Sequence, residues 1–229
     1  MPALPPSQIA QVRVLVVDDH ELVRYGTARL IESEPDLVVC GEAAGTRTAL
    51  QLLQSAGFDL AIIDLTLQEG NGLDLVREIS HSFPNVRMIV CSMHDEALYA
   101  FRVLRAGARG YVNKQEATKK LLMAIRKVLA GGVFVSQQLT QELLAQTAGI
   151  SALDALQPQH RLSDRELQVY EFIGESLTVK QIAERLQISP KTVEFHRERL
   201  RNKLGLAGNR DLARHAAQWF REQSESGLI

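Results

Sequence analysis

Short runs of apolar residues alternate with longer amphipathic stretches through the first half of the chain. The apolar runs are rich in Val and Ile and lack alternating polar residues, as is typical of strands buried on both faces. They are Val12–Val17, Leu37–Cys40, Leu60–Ile63, Val86–Val90 and Gly110–Val112. The amphipathic stretches have helical length and are Glu21–Ser33, Thr46–Ser55, Gly72–Phe83, Glu96–Ala106 and Thr118–Ala130. This alternation predicts an α/β domain with a five-stranded parallel doubly wound sheet and helices on both faces.

The second half of the chain has a different periodicity. After Gly131-Gly132 comes a short helical stretch, Gln137–Gln146, followed by residues with little periodicity, and from Leu162 onward every periodic stretch is helical. The 229 residues are enough for two hydrophobic cores. We therefore predict a first domain over residues 11–131, a linker with a short helix over 132–160 and an all-α domain over 161–229.

The net charge of −1 hides a difference between the two halves. Residues up to Gln157 include 14 basic and 17 acidic side chains, whereas those from Pro158 onward include 12 and 10. Between Leu177 and Leu204 basic residues outnumber acidic ones by seven to three. This bias favours a polyanionic partner for the second half, and an ordinary solvated helix surface would explain it equally well.

The sequence gives no sign of membrane insertion or export. No apolar run approaches the roughly 20 residues of a membrane-spanning helix, and MPALPPSQIAQ has neither a basic start nor an apolar core. Only two cysteines occur, Cys40 and Cys91. We therefore expect a protein of the reducing cytoplasm without a membrane partner.

Polar residues follow the predicted strands at their carboxyl ends. Asp18 and Asp19 follow the first strand and Asp64 the third, while Ser92 and Lys114 come after the fourth and fifth. In open α/β sheets this edge binds ligands, so these side chains should converge on one pocket. Carboxylates brought together repel one another unless a pKa rises or a hard cation such as Mg²⁺ binds them. An aspartate beside such an ion can act as a nucleophile toward phosphorus.

The motifs DDH, DLTL, SMHDE and GYVNK, in this order on five βα units, resemble the receiver domain of two-component response regulators. The resemblance covers about Val12 to Ala130 and implies a flavodoxin-like fold. It implies that Asp64 is the phosphoacceptor, and that Asp19, Asp64 and the backbone carbonyl of Thr66 bind Mg²⁺. Asp18 would assist, through a water molecule.

The same resemblance assigns three further roles. Ser92 would be the hydroxyl that turns toward the phosphoryl group, Lys114 would pair with the phosphoryl oxygens, and Tyr111 would be the aromatic switch whose orientation follows Ser92. Two local explanations stay open, because Ser92 could be the N-cap of the next helix and Tyr111 a packed core residue.

Several residues depart from the usual receiver pattern. Gln68 and Glu69 stand where a Pro-Gly pair is frequent, which favours a looser loop with an added negative charge near the metal. Gln115 follows Lys114 where many relatives have proline, and a cis peptide bond there would cost about 2.5–4 kcal/mol. His20 and His94 flank the carboxylates, but a carboxylate-dominated site favours Mg²⁺, so we expect neither imidazole to bind the metal.

Capping signals define the second domain. Ser163–Glu166 and Thr178–Gln181 are capping boxes, Ser189 precedes a proline at the first helical position, and a fourth helix begins near Asn209. The two middle helices form a helix-turn-helix. The segment LSDRELQVYEFIGESLTVKQIAERLQISPKTVEFHRERLRNKLGL resembles the DNA-binding domain of LuxR/NarL (FixJ)-type regulators.

The third helix of this domain has one apolar side, with Val193, Leu200 and Leu204. Its outward residues are Lys191, Glu194, Phe195, Glu198, Arg199 and Asn202. Phe195 could contact a thymine methyl, and Glu194 and Glu198 could accept hydrogen bonds from cytosine. The resemblance places phosphate contacts at Lys180, Lys191, Thr192, His196 and Arg197. The alternatives are a solvated helix face and a core histidine at position 196. Trp219 and Phe220 on the last helix are expected to pack rather than to contact DNA.

The sequence thus predicts a response-regulator transcription factor rather than an enzyme. A sensor histidine kinase would phosphorylate Asp64, and the second domain would bind double-stranded promoter DNA, as a homodimer when active. One alternative is a phosphorylation-independent DNA-binding regulator with a vestigial receiver. Another is a phosphatase of the haloacid-dehalogenase type, although that signature needs a second Asp at the position of Thr66.

Overall fold

The computed structural model describes residues 11–67, 69–137, 139–141 and 158–225. The chain divides into two compact units, Met1–Val135 and Ser136–Ile229. Gln137 and residues 139–141 are helical, in agreement with the start of the predicted short helix. The rest of that helix, most of the predicted linker and Gln68 lie outside the described residues.

The first unit is a five-stranded parallel sheet flanked by helices. Its strands are β1 Val12–Val17, β2 Leu37–Ala43, β3 Leu60–Ile63, β4 Arg87–Ser92 and β5 Gly110–Asn113. Its helices are α1 Glu21–Glu32, α2 Thr46–Ser55, α3 Gly72–Ser82, α4 Glu96–Ala106 and α5 Ala117–Leu129, with a 3₁₀ turn at Lys114–Glu116. The strand order is β2-β1-β3-β4-β5 and every pairing is parallel. The predicted doubly wound α/β fold is therefore confirmed.

Three strands, β2, β4 and β5, extend further than the sequence indicated, β5 by one residue to Asn113. Strand β2 continues past Cys40 because Gly41, Glu42 and Ala43 pair in register with the end of β1, after a shift at Val14/Leu15. Strand β4 reaches Ser92, which pairs with Asn113 of β5. Pairing with a neighbouring strand overrides the local turn signals of glycine, glutamate and serine.

The sheet forms the centre of the first core. Val14 and Val16 of β1 and Ile89 of β4 pack in one cluster with Leu121 and Ile125 of α5, all at most 1 % exposed. Beyond β5, Phe134 exchanges backbone hydrogen bonds with Arg109 and Tyr111, so the chain after α5 returns to the sheet. These contacts hold the strands and α5 together in one core.

The second unit is helical over its described residues. After a 3₁₀ turn at Pro158–Arg161, its helices are α6 Asp164–Gly174, α7 Val179–Leu186, α8 Pro190–Leu204 and α9 Asn209–Glu225. Both predicted capping boxes form, and the Ser189 side chain accepts a hydrogen bond from the Thr192 amide. Gln187 takes a left-handed conformation with φ of 52° between α7 and α8, which makes their tight turn. The predicted helix starts are confirmed.

Within the described part of the chain, no helix combines the length and apolar character that crossing a bilayer requires.

Candidate functional site

The carboxyl ends of the strands bring the predicted pocket residues of the first unit together. Asp18 and Asp64 follow β1 and β3, and their backbone amides continue the sheet by donating to the carbonyls of Ala43 and Val17. Lys114 follows β5, and its Nζ lies 2.7 Å from Asp18 Oδ2 and 2.7 Å from Asp64 Oδ2. The ammonium therefore bridges two carboxylates that are distant in sequence.

Burial sets the electrostatics of this pocket. Asp64 is only 3 % exposed, and the loss of hydration raises the pKa of its carboxyl group despite the opposing effect of Lys114. Burial alone would lower the pKa of Lys114, but the Asp64 and Asp18 carboxylates outweigh it and raise that pKa. The pocket thus holds a lysine that is charged at neutral pH and a carboxylate that is costly to ionise without a further cation.

Two carboxylate oxygens of the pocket lack hydrogen-bond partners. Asp64 Oδ1 and Asp19 Oδ1 are buried and no group in the described residues donates to them. Ligand atoms of Asp18, Asp19, His20 and Asp64 all lie within 4.8 Å of one another. This donor set fits a divalent cation, because a bound ion would satisfy the unpaired oxygens and offset the charge repulsion. The sequence predicted three aspartates and the Thr66 carbonyl as ligands, and the structure brings His20 close to the aspartate oxygens as well.

A glycine shapes the loop after the buried aspartate. Gly72 begins α3, and a Cβ atom at this position would lie 2.0 Å from the carbonyl oxygen of Asp64. Its amide donates to the carbonyl of Leu65, and the Asn71 side chain caps the helix by accepting from two backbone amides. Helix α3 therefore packs directly on the backbone that carries Asp64, and any larger residue at Gly72 would displace it.

Ser92 and Tyr111 lie beside the pocket in the interior. Ser92 is fully buried, and the N-cap of α4 is Asp95, whose side chain accepts from the Ala97 amide. The N-cap explanation for Ser92 is therefore wrong, because Ser92 is the last residue of β4 and the N-cap of the helix lies three residues later. Tyr111 is 1 % exposed and its hydroxyl donates to the carbonyl of His94 at 2.7 Å. Its position agrees with packing and with the switch role alike.

The loops around the pocket are connected by hydrogen bonds. Thr66 Oγ1 lies 2.9 Å from His94 Nε2, which links the loop after β3 to the loop after β4. The carbonyl of Glu69 accepts from both the amide and the hydroxyl of Thr46, so this part of the loop is tied to α2. The Lys114–Gln115 peptide bond is trans.

In the second unit, α8 presents the predicted outward face. Val193 and Leu200 are fully buried and Leu204 is half-buried, as the apolar side predicted. The predicted outward residues Lys191, Glu194, Phe195, Glu198, Arg199 and Asn202 are all exposed. Phe195 is 52 % exposed, with the Arg199 guanidinium 5.6 Å from its ring centroid. The helix thus carries an aromatic side chain and several charges on a solvent-facing surface.

The predicted phosphate-contact residues differ in exposure and in ion pairing. Lys180 and Lys191 are exposed, and neither forms an ion pair with another described residue. Arg197 is 16 % exposed along its side chain and pairs with Glu194 at 2.7 Å. Thr192 and His196 are half-buried, and burial, followed by the charge of Arg165, lowers the pKa of His196. The two lysines are therefore the better placed to reach a phosphate.

A buried glutamate fixes α8 against α6. Glu166 is 1 % exposed, and its Oε2 lies 2.6 Å from Lys203 Nζ and accepts from the Ser163 amide at 2.7 Å. Its Oε1 lies 3.1 Å from Arg199 Nε. Burial would raise the pKa of Glu166, but the hydrogen bonds from Lys203 and Ser163 outweigh it and lower that pKa. The sequence identified Glu166 only as part of a capping box, because its contacts with α8 depend on packing.

The last helix completes the core of this unit. Trp219 is 8 % exposed and its ring centroid lies 5.4 Å from that of Tyr170 in α6. Phe220 is half-buried. These positions support the packing explanation for both aromatic residues.

Comparison with known proteins agrees with both units. Residues 14–126 match the response regulator receiver domain, and residues 160–216 match the bacterial regulatory proteins of the luxR family. The oxygen regulatory protein NreC of Staphylococcus aureus strain JH9 is 34% identical over 209 residues, which are 90% of this chain and 96% of NreC. The chain belongs to the response regulators that combine a receiver domain with a luxR-family helix-turn-helix domain.

Solved structures show the same architecture. RcsB from Salmonella enterica serovar Typhimurium, bound to promoter P1flhDC in the presence of the phosphomimetic BeF3-, is 26% identical with a TM-score of 0.69. The match covers 91% of this chain and 99% of the RcsB chain. A LuxR-family two-component response regulator from Aurantimonas sp. SI85-9A1 is 34% identical with a TM-score of 0.56, over 60% of this chain and 99% of its own.

Proposed function

We propose that this response regulator accepts a phosphoryl group on Asp64 from a sensor histidine kinase and binds promoter DNA through α8. The observation that carries the proposal is the state of the Asp64 carboxylate. One oxygen is held by Lys114, while Oδ1 is buried without a hydrogen-bond partner among the described residues. A carboxylate in this state can bind a cation through its unpaired oxygen and act as a nucleophile toward phosphorus.

The chemical step is an in-line displacement at phosphorus. A carboxylate oxygen of Asp64 forms a bond to phosphorus while the bond between phosphorus and the donor breaks. With a kinase phosphohistidine as donor, the histidine imidazole leaves and takes a proton from water. Lys114 lies where it can neutralise negative charge on the phosphoryl oxygens. Ser92 would then turn toward the phosphoryl group and Tyr111 would follow, which would transmit the change away from the pocket.

The pocket is suited to Mg²⁺. Asp19 and Asp64 supply unpaired oxygens, the Thr66 carbonyl would be a further ligand, and Asp18 would act through water. When bound, the ion would neutralise charge on the carboxylates and on the phosphoryl oxygens. Lys114, which also pairs with Asp18 Oδ2, would meanwhile hold Oδ2 of Asp64 in place.

The DNA-binding proposal rests on the exposed side of α8. Phe195, Glu194 and Glu198 would read base edges in the major groove, and Lys180 and Lys191 would contact phosphates. Thr192, His196, Arg197 and Arg199 stay in the proposed interface, although Arg197 and Arg199 also form ion pairs within the unit. The relative RcsB is bound to promoter DNA in its structure. We propose the same kind of target here, bound by a phosphorylated homodimer in the cytoplasm.

Intact-protein mass spectrometry with acetyl phosphate tests the acceptor assignment. We expect the wild-type chain to gain the mass of one phosphoryl group when a divalent cation is present, and no gain after chelation. Asp64→Asn should abolish the gain. Asp59→Asn is a matched control, because Asp59 lies at the opposite end of β3 and binds the Arg13 amide. Equal labelling of Asp64→Asn and wild type would overturn the assignment.

A further inference from the structure

His20 lies at the edge of the acidic pocket in a defined position. Its backbone amide donates to Asp18 Oδ1 at 2.9 Å, which fixes the chain directly after β1. Its ring Nδ1 lies 2.7 Å from Asp19 Oδ1 and 3.6 Å from Asp18 Oδ1. The imidazole is therefore directed toward the same carboxylates that form the proposed metal site.

The contact between His20 and Asp19 is not an aligned hydrogen bond. The Asp19 side chain is only 6 % exposed, and its Oδ1 has no hydrogen-bond partner among the described residues although Nδ1 is 2.7 Å away. Neighbouring ligand atoms in an octahedral site with bonds of 2.0–2.1 Å are about 3 Å apart. The two atoms thus have the spacing of adjacent ligands of one ion.

A second buried oxygen points to the same ion. Asp64 Oδ1 also has no hydrogen-bond donor among the described residues, and only 3 % of the surface of Asp64 is exposed. The ligand atoms of Asp18, Asp19, His20 and Asp64 all lie within 4.8 Å of one another, close to the roughly 4.2 Å between opposite ligands of an octahedral ion. The His20 side chain is 65 % exposed, so the ring can adjust to an ion without disturbing packed neighbours.

We propose that His20 is a direct nitrogen ligand of the divalent-cation site and shifts its preference from Mg²⁺ toward first-row transition ions. Mg²⁺ takes oxygen ligands, whereas imidazole nitrogen suits transition ions. This inference rests on the proposed metal site at Asp19 and Asp64. It changes the expectation from sequence that neither flanking histidine contacts the metal.

Pulsed electron paramagnetic resonance with Mn²⁺ tests the ligand directly. Tag-free full-length protein is loaded with Mn²⁺, and the coupling between the ion and directly bound ¹⁴N is recorded. We expect this coupling in the wild type and its loss in His20→Gln. His81→Gln is the matched control, because His81 is exposed in the last turn of α3 and should leave the coupling unchanged.

Affinity gives an independent readout on the same samples. Loss of a ligand should weaken Mn²⁺ binding in His20→Gln by about tenfold or more, measured from the free-ion signal, while Mg²⁺ competition should change by less than about threefold. Mn²⁺ binding without ¹⁴N coupling, or coupling that survives in His20→Gln, would overturn the role of His20 and leave the aspartate site standing. A wild-type chain that binds neither ion would instead refute the proposed metal site itself.

Discussion

Asp64 and Glu166 are the most deeply buried carboxylates of the described residues in their two units, and their pKa values shift in opposite directions. Asp64 in the receiver is 3 % exposed and has one oxygen without a donor, and burial raises its pKa. Glu166 in the helix-turn-helix unit is 1 % exposed, but Lys203, Arg199 and the Ser163 amide surround it, and its pKa is lowered. Glu166 Oε1 also lacks a hydrogen bond, but it lies 3.1 Å from Arg199 Nε. Burial therefore does not fix the direction of a pKa shift, which depends on the cations and amide donors around each carboxylate.

The largest effect that would separate the two carboxylates concerns stability. Glu166→Ala removes the partner of two cations and of an N-terminal amide of α6, so we expect the second unit to lose about 2–4 kcal/mol. Urea unfolding followed by Trp219 fluorescence measures this, since Trp219 is the only tryptophan and lies in that unit. Asp211→Asn, which breaks the exposed pair with Arg214, should cost under about 1 kcal/mol. Equal losses would show that Glu166 is an ordinary surface residue in energetic terms.

The expected effect of α8 substitutions on base recognition is of intermediate size. Phe195 is exposed and does not hold the fold together, so Phe195→Ala should relax discrimination at one base pair by about 1–3 kcal/mol and leave other positions unchanged. Binding to a specific site and to its single-base variants, measured by fluorescence anisotropy, checks this. A uniform loss across all sites would mean that Phe195 does not read bases.

The salt dependence of DNA binding should distinguish Lys191 of α8 from Arg199, which pairs with Glu166. Lys191→Ala should weaken binding to all sequences and lower the log–log salt slope by about one unit. Arg199→Ala should change the slope less, because Arg199 pairs with Glu166, and should instead lower the urea midpoint of the second unit. Affinities at several salt concentrations distinguish the two variants. A larger slope change for Arg199 would reverse their assignment.

The smallest effect concerns the pH dependence of the receiver without divalent ions. Because the pKa of Asp64 is raised, the folded chain holds the carboxyl proton more tightly than the unfolded chain does. Protonated Asp64 therefore stabilises the fold at low pH, and this contribution is lost as the pH rises through the folded pKa. Asp64→Asn should therefore raise the thermal midpoint at neutral pH, with a difference that narrows as pH falls toward the ordinary value of 3.8. Thermal scans across pH measure this. A lower midpoint for Asp64→Asn at neutral pH would contradict it.

The sequence predicted whatever depends on local order or on strand topology. The strand ends placed Asp18, Asp64 and Lys114 in one pocket, and the capping signals of Ser163 and Thr178 placed the helix starts. These features follow from periodicity, from the rule that parallel strands share an edge, and from side-chain bonding within one turn.

What the sequence missed depends on packing between distant elements. The approach of Gly72 to the Asp64 carbonyl, the contact of Glu166 with α8 and the half-burial of Arg197 have no local signature. Likewise, the sequence alone did not show whether Ser92 caps the next helix, and the structure shows that Asp95 is the N-cap. Side-chain orientation at His20 also depends on the assembled pocket.

The contrast between the two carboxylates is tested most directly by one titration. Carboxyl ¹³C chemical shifts of Asp64 and Glu166, followed by NMR against pH in metal-free wild-type protein, report both groups in the same sample. We expect Asp64 to titrate above its ordinary value of 3.8 and Glu166 below its ordinary value of 4.5. An Asp64 midpoint at or below 3.8, or a Glu166 midpoint at or above 4.5, would contradict the division into a reactive carboxylate and a structural one.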